Sequence, residues 1–346
     1  MDRLNIIQKA VISIILSAMV FIVVVPLLFF LSTTFASDVE MSMFPKPLLP
    51  RMTVTVKVVP HDDGQYEIFY DSGDGYRSII TTKNPVKLEN HFRRQYSVTI
   101  PGEKLMEDFS RARETGPAEF TYSKSLLYNF RQFFAIVTNS LPALKNSIIA
   151  SLYTILISLS LGSLAGYVMA RYDFRLKNII NVSLLIVRMF PVVGISIPMA
   201  ILLIRFGLFD TLIGLALLYS VPNIALTAWI TSSIFIGISK ELEEASMVFG
   251  ANRFQTFMRI TLPLAFPALA ASSMYAFLTA WNDTISALIL TDRNQTLALV
   301  VYKAIGTTTS GIQYAAAGSV ILILPALVFT FIIRKYVSQM WGNVEF

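Results

Sequence analysis

The sequence predicts an all-α, polytopic membrane protein with six transmembrane helices and a small β-rich insert between the first two. Of its 346 residues, 54% are hydrophobic and 14% are charged, whereas soluble domains carry about 25% charged residues. Mean hydropathy is +0.61. A helical span needs about 20 mostly apolar residues, and six runs meet that length: 10–34, 147–169, 179–204, 210–236, 264–290 and 315–336.

The first apolar run is interpreted as a retained span. Arg3 and Lys9 precede it, as basic residues precede a signal peptide. However, the run is longer than the core of a signal peptide, which has about 7–15 residues, and no A-x-A cleavage site follows it.

Basic residues predict the orientation of the spans. They precede span one, lie between spans two and three and between four and five, and follow span six: Arg3, Lys9, Arg171, Arg175, Lys177, Lys240, Arg253, Arg259, Arg334 and Lys335. The loop between spans three and four carries only Arg205 and Asp210. Because cytoplasmic loops are rich in Lys and Arg, both termini are predicted to be cytoplasmic. The loop after span five does not fit this pattern, because it carries two basic residues, Arg293 and Lys303, and one acidic residue, Asp292.

The long segment 37–145 is therefore predicted to lie outside the cytoplasm. Residues 52–59 alternate as a strand does, 66–82 fit two strands around a Gly- and Asp-rich turn, and 94–100 fit a further strand. These strands predict a β-rich insert over about 52–100. It shows no catalytic constellation, so we interpret it as a structural or docking element. A free sheet edge could pair with a partner.

Several function classes are disfavoured. The chain has no cysteine and two histidines, His61 and His91, which argues against disulfides, thiolate chemistry and a metal site. G-x-x-x-x-G-K-[ST] is missing, so no ATP hydrolysis by this chain is expected. H-E-x-x-H and G-x-S-x-G are missing as well, and no catalytic residue is proposed. Cytoplasmic loops account for the net charge of +6, so no nucleic-acid partner is expected.

Residues 239–263 form a charged segment between two apolar spans. Ser239 is a predicted N-cap, and the acidic residues that follow suit the positive end of a helix dipole. Gly250 permits a sharp turn before a second short helix over 251–259, and Pro263 fits the start of span five. Four residues predict an apolar ridge on the first helix: Leu242, Ala245, Val248 and Phe249. Such a ridge suits either a partner's groove or the membrane interface, and physics alone leaves both open.

A family resemblance favours the partner. The spacing of Glu244-Ala245-Ser246, Gly250 and Ile260-x-Leu262-Pro263 resembles the EAA signature of ABC importer permeases, with Ser246 in place of the usual second alanine. Segments 146–174, 188–191, 241–246 and 280–283 resemble the carbohydrate-uptake branch, in particular the smaller six-span subunit of maltose-type importers. The resemblance covers about 128–337 plus span one. The long outward loop and the tail VSQMWGNVEF depart from the family's pattern.

The resemblance implies a layout and a set of partners. Residues 1–36 would hold the first transmembrane helix, 37–145 the extracytoplasmic loop, 146–337 a permease core of five transmembrane helices with its EAA coupling loop at 239–263, and 338–346 a cytoplasmic tail. The partners would be two ATP-binding subunits (or a homodimer of one) that carry ATP and Mg, a second homologous permease, an extracytoplasmic solute-binding protein and membrane lipid. No cofactor is expected in this chain itself, and the location would be a prokaryotic cytoplasmic (inner) membrane.

The resemblance also assigns candidate residues. Contact with the ATPase subunit would involve Glu243, Glu244, Ala245, Ser246, Gly250, Ile260, Leu262 and Pro263. Polar groups are costly inside spans and therefore often mark a functional pathway. Six polar residues are candidates for the substrate pathway: Tyr219, Asn223, Tyr275, Thr279, Trp281 and Asn282. The alternative for each is helix packing or interface anchoring. Arg188 is interpreted as bracing the fold, and a direct pair with Asp283 stays open. Gly162 and Gly166 predict close helix packing, with a contact to the second permease as the alternative.

The predicted function is that of a non-catalytic permease subunit of a sugar importer, with a di- or oligosaccharide or a polyol as substrate. An importer of glycerol phosphate esters is the alternative within the family. A self-sufficient secondary transporter would have no need of the EAA spacing. A membrane-anchored receptor would need a cytoplasmic signalling domain, which is not expected here.

Overall fold

The computed structural model describes residues 6–43, 47, 49–73, 75–307 and 311–338. They divide into two compact units, one with residues 1–137 and 304–320 and one with residues 138–303 and 321–346. Arg3 and the predicted tail, apart from Ser338, lie outside the described residues.

The chain is mostly helical, and several helices are suited to a membrane. In the described ranges, four helices are long and apolar enough to cross one: Val11–Thr34, Ser140–Arg171, Leu212–Gly237 and Ile312–Tyr336. Two further helix pairs meet the same test but are bent, Lys177–Met189 with Val192–Arg205 by 98° and Arg253–Leu264 with Phe266–Asn282 by 77°. The number of spans is six if each bent pair counts as one.

The elements follow one another in this order: α1 (Ile6–Thr34), α2 (Asp38–Ser42), β1 (Thr53–Pro60), β2 (Tyr66–Asp71), β3 (Tyr76–Thr82), a 3₁₀ turn (Pro85–Lys87), α3 (Leu88–Tyr96), α4 (Gly102–Thr115), β4 (Ala118–Ser123), α5 (Tyr128–Ile136), α6 (Ser140–Arg171), α7 (Lys177–Met189), α8 (Val192–Arg205), α9 (Leu212–Gly237), α10 (Lys240–Val248), α11 (Arg253–Thr256), a π-helical turn (Phe257–Thr261), α12 (Leu262–Leu264), α13 (Phe266–Asn282), α14 (Ile285–Leu290), α15 (Leu297–Thr307) and α16 (Ile312–Ser338).

A four-stranded antiparallel sheet forms the centre of the first unit, in the order β3-β2-β1-β4. Alternate residues of β1 are buried, which is the period-2 pattern of a sheet with one covered face. That face packs against α3 and α4, whose Phe92, Leu105 and Phe109 are fully buried.

Three strands lie where the alternation predicted them, but the strand predicted over 94–100 is wrong. There, α3 runs to Tyr96, and Ser97 ends it in the left-handed region with φ 58°. Leu88, Phe92 and Tyr96 are buried at intervals of four residues, which is the period of a helix. The fourth strand is β4, which lies beyond the predicted insert.

A buried ion pair joins α2 to the end of β4. The ammonium of Lys124 donates to Glu40, and both side chains are 2% exposed. Backbone N–H groups of Ser37 and Arg51 also donate to the Glu40 carboxylate, each at 2.7 Å. Burial raises the pKa of the Glu40 carboxyl, but Lys124 and the two N–H groups outweigh burial and hold the pKa below its usual value. The carboxylate is therefore charged and fully engaged.

Glu40→Gln is expected to destabilise the first unit by about 3–5 kcal/mol, because it leaves the Lys124 ammonium buried without a counter-charge. The measurement is limited proteolysis of the detergent-solubilised chain over a temperature series, with mass spectrometry locating cuts within 37–137. Glu107→Gln is the matched control, since its ion pair with Arg111 is exposed and exposed pairs contribute about 0–1 kcal/mol. Equal cleavage temperatures for Glu40→Gln and the unsubstituted chain would contradict this account.

In the second unit, α6 and α9 lie against each other at two glycines. A Cβ atom added at Gly162 would lie 2.5 Å from Cβ of Thr227, and one added at Gly166 would lie 2.1 Å from Oγ1 of Thr231. The predicted close packing is therefore found within the chain, between α6 and α9.

Two predicted spans are interrupted. The third breaks between Met189 and Val192, at Pro191. Helices α8 and α9 continue through Pro198 and Pro222. The fifth was predicted as one run over 264–290, but α13 ends at Asn282 and α14 starts at Ile285.

Asp210 connects two loops at one end of the second unit. It has φ 55°, and its carboxylate accepts the N–H groups of Asp292, Arg293 and Asn294 at 2.9–3.2 Å. The loop between α8 and α9 and the loop after α14 therefore lie at the same end.

Candidate functional site

The segment between α9 and α13 forms a pair of short helices, as predicted. Gly250 ends α10 with φ 89°. Its N–H donates to the carbonyl of Met247, and the N–H of Ala251 donates to the carbonyl of Ser246; this is the Schellman arrangement, which requires a left-handed residue. Asn252 then caps α11 in a reciprocal pair with Gln255, at 2.8 and 3.0 Å.

Ser239 occupies the predicted N-cap position of α10 without capping it. Its hydroxyl bonds to the side chain of Glu241 and makes no hydrogen bond to the backbone of α10. The Asn252–Gln255 capping box was readable from its N-x-x-Q spacing, but the sequence interpretation did not use it.

The predicted apolar ridge of α10 is exposed along its length. Phe249 is 91% exposed, Val248 85% and Leu242 50%, and Ala245 is exposed as well. Phe254 of α11 is a further exposed apolar side chain, at 66% exposure. Large apolar side chains exposed together on a short helix mark an interaction surface.

Glu243 faces the opposite way. Its side chain is 8% exposed and pairs with Arg171, the last residue of α6, at 2.7 Å. The hydroxyls of Tyr167 and Thr261 also donate to its carboxylate, at 2.9 and 3.0 Å. Burial raises the pKa of Glu243, but hydrogen bonds from these three residues outweigh burial and hold the pKa below its usual value.

Arg171 extends this cluster to α9. Its two terminal nitrogens donate to the backbone carbonyls of Phe235 and Ile238, at 2.7 and 3.0 Å. The guanidinium thus binds a carboxylate on one side. On the other side it donates hydrogen bonds to carbonyls at the C-terminal end of α9, where helix carbonyls lack partners within the helix. Sequence reasoning had treated Arg171 only as an orientation signal. Its partner lies 72 positions away, and no local pattern reveals it.

The other predicted contact residues divide between the two sides of the helix pair. Glu244 and Ala245 are exposed beside the ridge, and Gly250 is exposed at the turn. Ser246 faces inward, where its hydroxyl lies 2.6 Å from that of Thr256 and fixes α10 to α11. The remaining three follow the helix pair along the chain: Ile260 in the π-helical turn, and Leu262 and Pro263 in α12.

The candidate pathway residues fall into a buried and an exposed group. Tyr219 and Trp281 are fully buried: the Tyr219 hydroxyl donates to Asp283 at 2.9 Å and the Trp281 indole to the carbonyl of Leu322 at 2.8 Å. Asn223 is buried and donates to the carbonyl of Tyr219. Asp283 accepts hydrogen bonds from Tyr219, Ser286 and the N–H of Ala287, so it joins α9 to the start of α14.

The exposed group lies on α13. Tyr275 and Asn282 are exposed, and Thr279 bonds to the carbonyl of Tyr275. The guanidinium carbon of Arg188 lies 5.6 Å from the centre of the Tyr275 ring, within the range of a cation–π interaction. Arg188 thus contacts α13, and Tyr275, Thr279 and Asn282 are the candidates whose side chains are not buried.

Apolar spans, an exposed ridge between two of them and polar side chains on the following span fit a membrane transport permease. The chain belongs to the family described as binding-protein-dependent transport system inner membrane component, whose model matches residues 158–341.

Two relatives and one solved structure illustrate this membership. The chain is 34% identical to the trehalose transport system permease protein SugB of Mycobacterium tuberculosis over 56% of this chain and 72% of that protein. It is 31% identical to the trehalose/maltose transport system permease protein MalG of Thermococcus litoralis over 62% and 78%. A chain of a bacterial ABC transporter involved in the import of the acidic polysaccharide alginate matches with a TM-score of 0.59, over 95% of this chain and 96% of that one. At 15% identity, this last likeness shows the fold alone, that of an ABC permease.

Proposed function

We propose that this chain is a membrane-spanning permease subunit of a binding-protein-dependent ABC importer that moves a sugar into the cytoplasm. The observation that carries the proposal is the exposed ridge of α10, held from behind by a buried ion pair and followed by the turn at Gly250. A surface of this kind suits docking of a helix into a partner's groove. ATP hydrolysis would take place on that partner, with ATP and Mg bound there.

The topology belongs to the same proposal. Each bent helix pair forms one span, which gives six, and both termini are cytoplasmic. Asp210 holds the loop between α8 and α9 beside the loop after α14, while Arg171 and Glu243 hold the ends of α6 and α9 beside α10. These two clusters support opposite ends for the second unit, outward at Asp210 and cytoplasmic at α10. The distribution of basic residues along the sequence supports an extracytoplasmic sheet.

The substrate assignment rests on the relatives. Those whose names specify trehalose, or trehalose and maltose, match the chain over most of their own length. We therefore propose a di- or oligosaccharide, or a polyol, bound by a separate extracytoplasmic protein and released between this chain and a second, homologous permease. Tyr275, Thr279 and Asn282 offer a ring face and hydrogen-bonding groups to a sugar.

The test is copurification from the native membrane. The tagged chain, extracted in mild detergent, is expected to bring with it an ATP-binding subunit, a second permease and a solute-binding protein. An untagged extract is the control. Calorimetry of the binding protein with trehalose, maltose and arabino-oligosaccharides would then identify the substrate. Recovery of the chain alone, with uptake intact after reconstitution, would overturn the proposal in favour of a secondary transporter.

A further inference from the structure

We propose that Glu243 and Arg171 act as a positioning pair that carries a displacement of α10 to the membrane helices α6 and α9. The inference rests on the proposed function, since it concerns the way in which movement of a docked ATPase subunit reaches the membrane. The pair is not part of the docking surface, because both side chains are less than 10% exposed and the ridge of α10 faces away from them.

The first argument is connectivity. The Glu243 carboxylate accepts hydrogen bonds from three residues of two elements: Tyr167 and Arg171 of α6, and Thr261 of the π-helical turn. Arg171 adds two bonds to carbonyls at the end of α9. One carboxylate therefore ties α10 to two spans and to the entry of the next. In the described part of the chain, every side-chain hydrogen bond between α10 and α6 ends on Glu243.

The second argument is stiffness. Tyr167 packs against Phe257 and Phe235, with ring centres 4.8 and 5.8 Å away, so aromatic rings pack beside the hydrogen bonds of the cluster. Charged hydrogen bonds in a buried site are short and directional. A displacement of α10 would break them unless α6 and α9 moved as well.

The third argument is the contrast with the other end of the helix pair. Beyond α11 the chain passes through a π-helical turn, and α13 starts after a bend of 77°. π-helical turns are frequently found at functional sites. Both ends of the π-helical turn, Phe257 and Thr261, contact the cluster. Movement of the helix pair would therefore bend the chain beyond them, between α12 and α13, while the Glu243–Arg171 pair passes the movement to α6 and α9.

The experiment separates ATP hydrolysis from movement of the permease. The chain has no cysteine, so Ile285→Cys gives a single thiol at the start of α14, where Ile285 is 55% exposed. In the reconstituted complex, maleimide labelling at this position is expected to change when ATP and vanadate are added. Failure of the complex to assemble, or the lack of any labelling change in this background, would contradict the proposed function and is visible before the pair is altered.

Glu243→Gln or Arg171→Gln is then added to this background. Each variant is expected to retain the ATPase subunit and to hydrolyse ATP, because the ridge is unchanged. The ATP-dependent change in labelling rate should fall by about 2- to 30-fold, the range for substitutions along coupling networks. In the double variant the labelling change should fall no further than in the single variants, because the two substitutions remove the same interaction.

Asp173→Asn is the matched control, since it removes an exposed ion pair with Lys177, just after Arg171; it should leave the labelling change intact. If Glu243→Gln does not accumulate, Tyr167→Phe carries the test, because it removes one hydrogen bond and keeps the ring. A smaller loss of the labelling change is expected for it. The proposal would be overturned if the assembled Glu243→Gln complex showed the same labelling change as the background variant. If Glu243→Gln does not accumulate, the same result in Tyr167→Phe would overturn it.

Discussion

Replacing Val248 and Phe249 together with serine is expected to abolish copurification of the ATPase subunit and ATP-driven uptake, while the chain still accumulates in the membrane. Both side chains are more than 80% exposed, so their loss removes little from the fold. Fully burying a valine or phenylalanine side chain contributes about 1.5–3 kcal/mol each. Losing both from an interface therefore weakens binding by about 100-fold or more.

The measurement compares the amount of ATPase subunit recovered with the tagged chain, at equal chain recovery. Leu126→Ser with Leu127→Ser is the matched control, since this adjacent apolar pair is also exposed but lies in the first unit; its recovery of the ATPase subunit should equal that of the unsubstituted chain. If the Val248/Phe249 variant recovers the same amount, the ridge is not the docking surface. Loss of the chain itself would instead mean that the two side chains support the fold.

The apolar runs and the ridge could be read from the sequence because each depends on local composition and period. Long apolar runs predict spans whatever their partners, and Leu242, Ala245, Val248 and Phe249 share a face by helical geometry alone. The break at Pro191 follows from the missing N–H and the steric demands of proline.

The role of Glu243 could not be predicted in this way. Three glutamates occur within four positions of α10, and the period alone does not tell which of them turns inward. The answer depends on Arg171, which comes from another span. The error over 94–100 has a similar origin: the residues alternate like a strand, but Phe92 and Tyr96 already belong to a helix packed on the sheet.

These differences also change how the sheet should be tested. Deleting 52–100, the predicted insert, would remove three strands and leave β4 without its partner β1. Loss of uptake in such a deletion would then report misfolding of the first unit. Substitutions on exposed residues of β3 avoid this problem and test whether the sheet docks a binding protein.

Gly166→Ala is expected to prevent stable accumulation of the chain, although it adds a single methyl group. The added Cβ would lie 2.1 Å from Oγ1 of Thr231 and 2.8 Å from the carbonyl oxygen of Ala228. The threonine side chain can rotate, but the carbonyl belongs to α9 and can withdraw only if the two helices separate. Overpacking of this kind costs about 1–3 kcal/mol, and occasionally more; contact with backbone places this site at the upper end.

Gly194→Ala is the matched control for Gly166→Ala, because a Cβ there meets no atom within 4 Å; its accumulation and Tm should match those of the unsubstituted chain. Adding Thr231→Ala to Gly166→Ala should restore accumulation only in part, since it removes the nearest atom and leaves the carbonyl. Full accumulation of Gly166→Ala alone would show that α6 and α9 can separate freely. In that case the Arg171 bonds to the end of α9 could not hold the two spans together as one body, and a displacement of α10 would move α6 without α9.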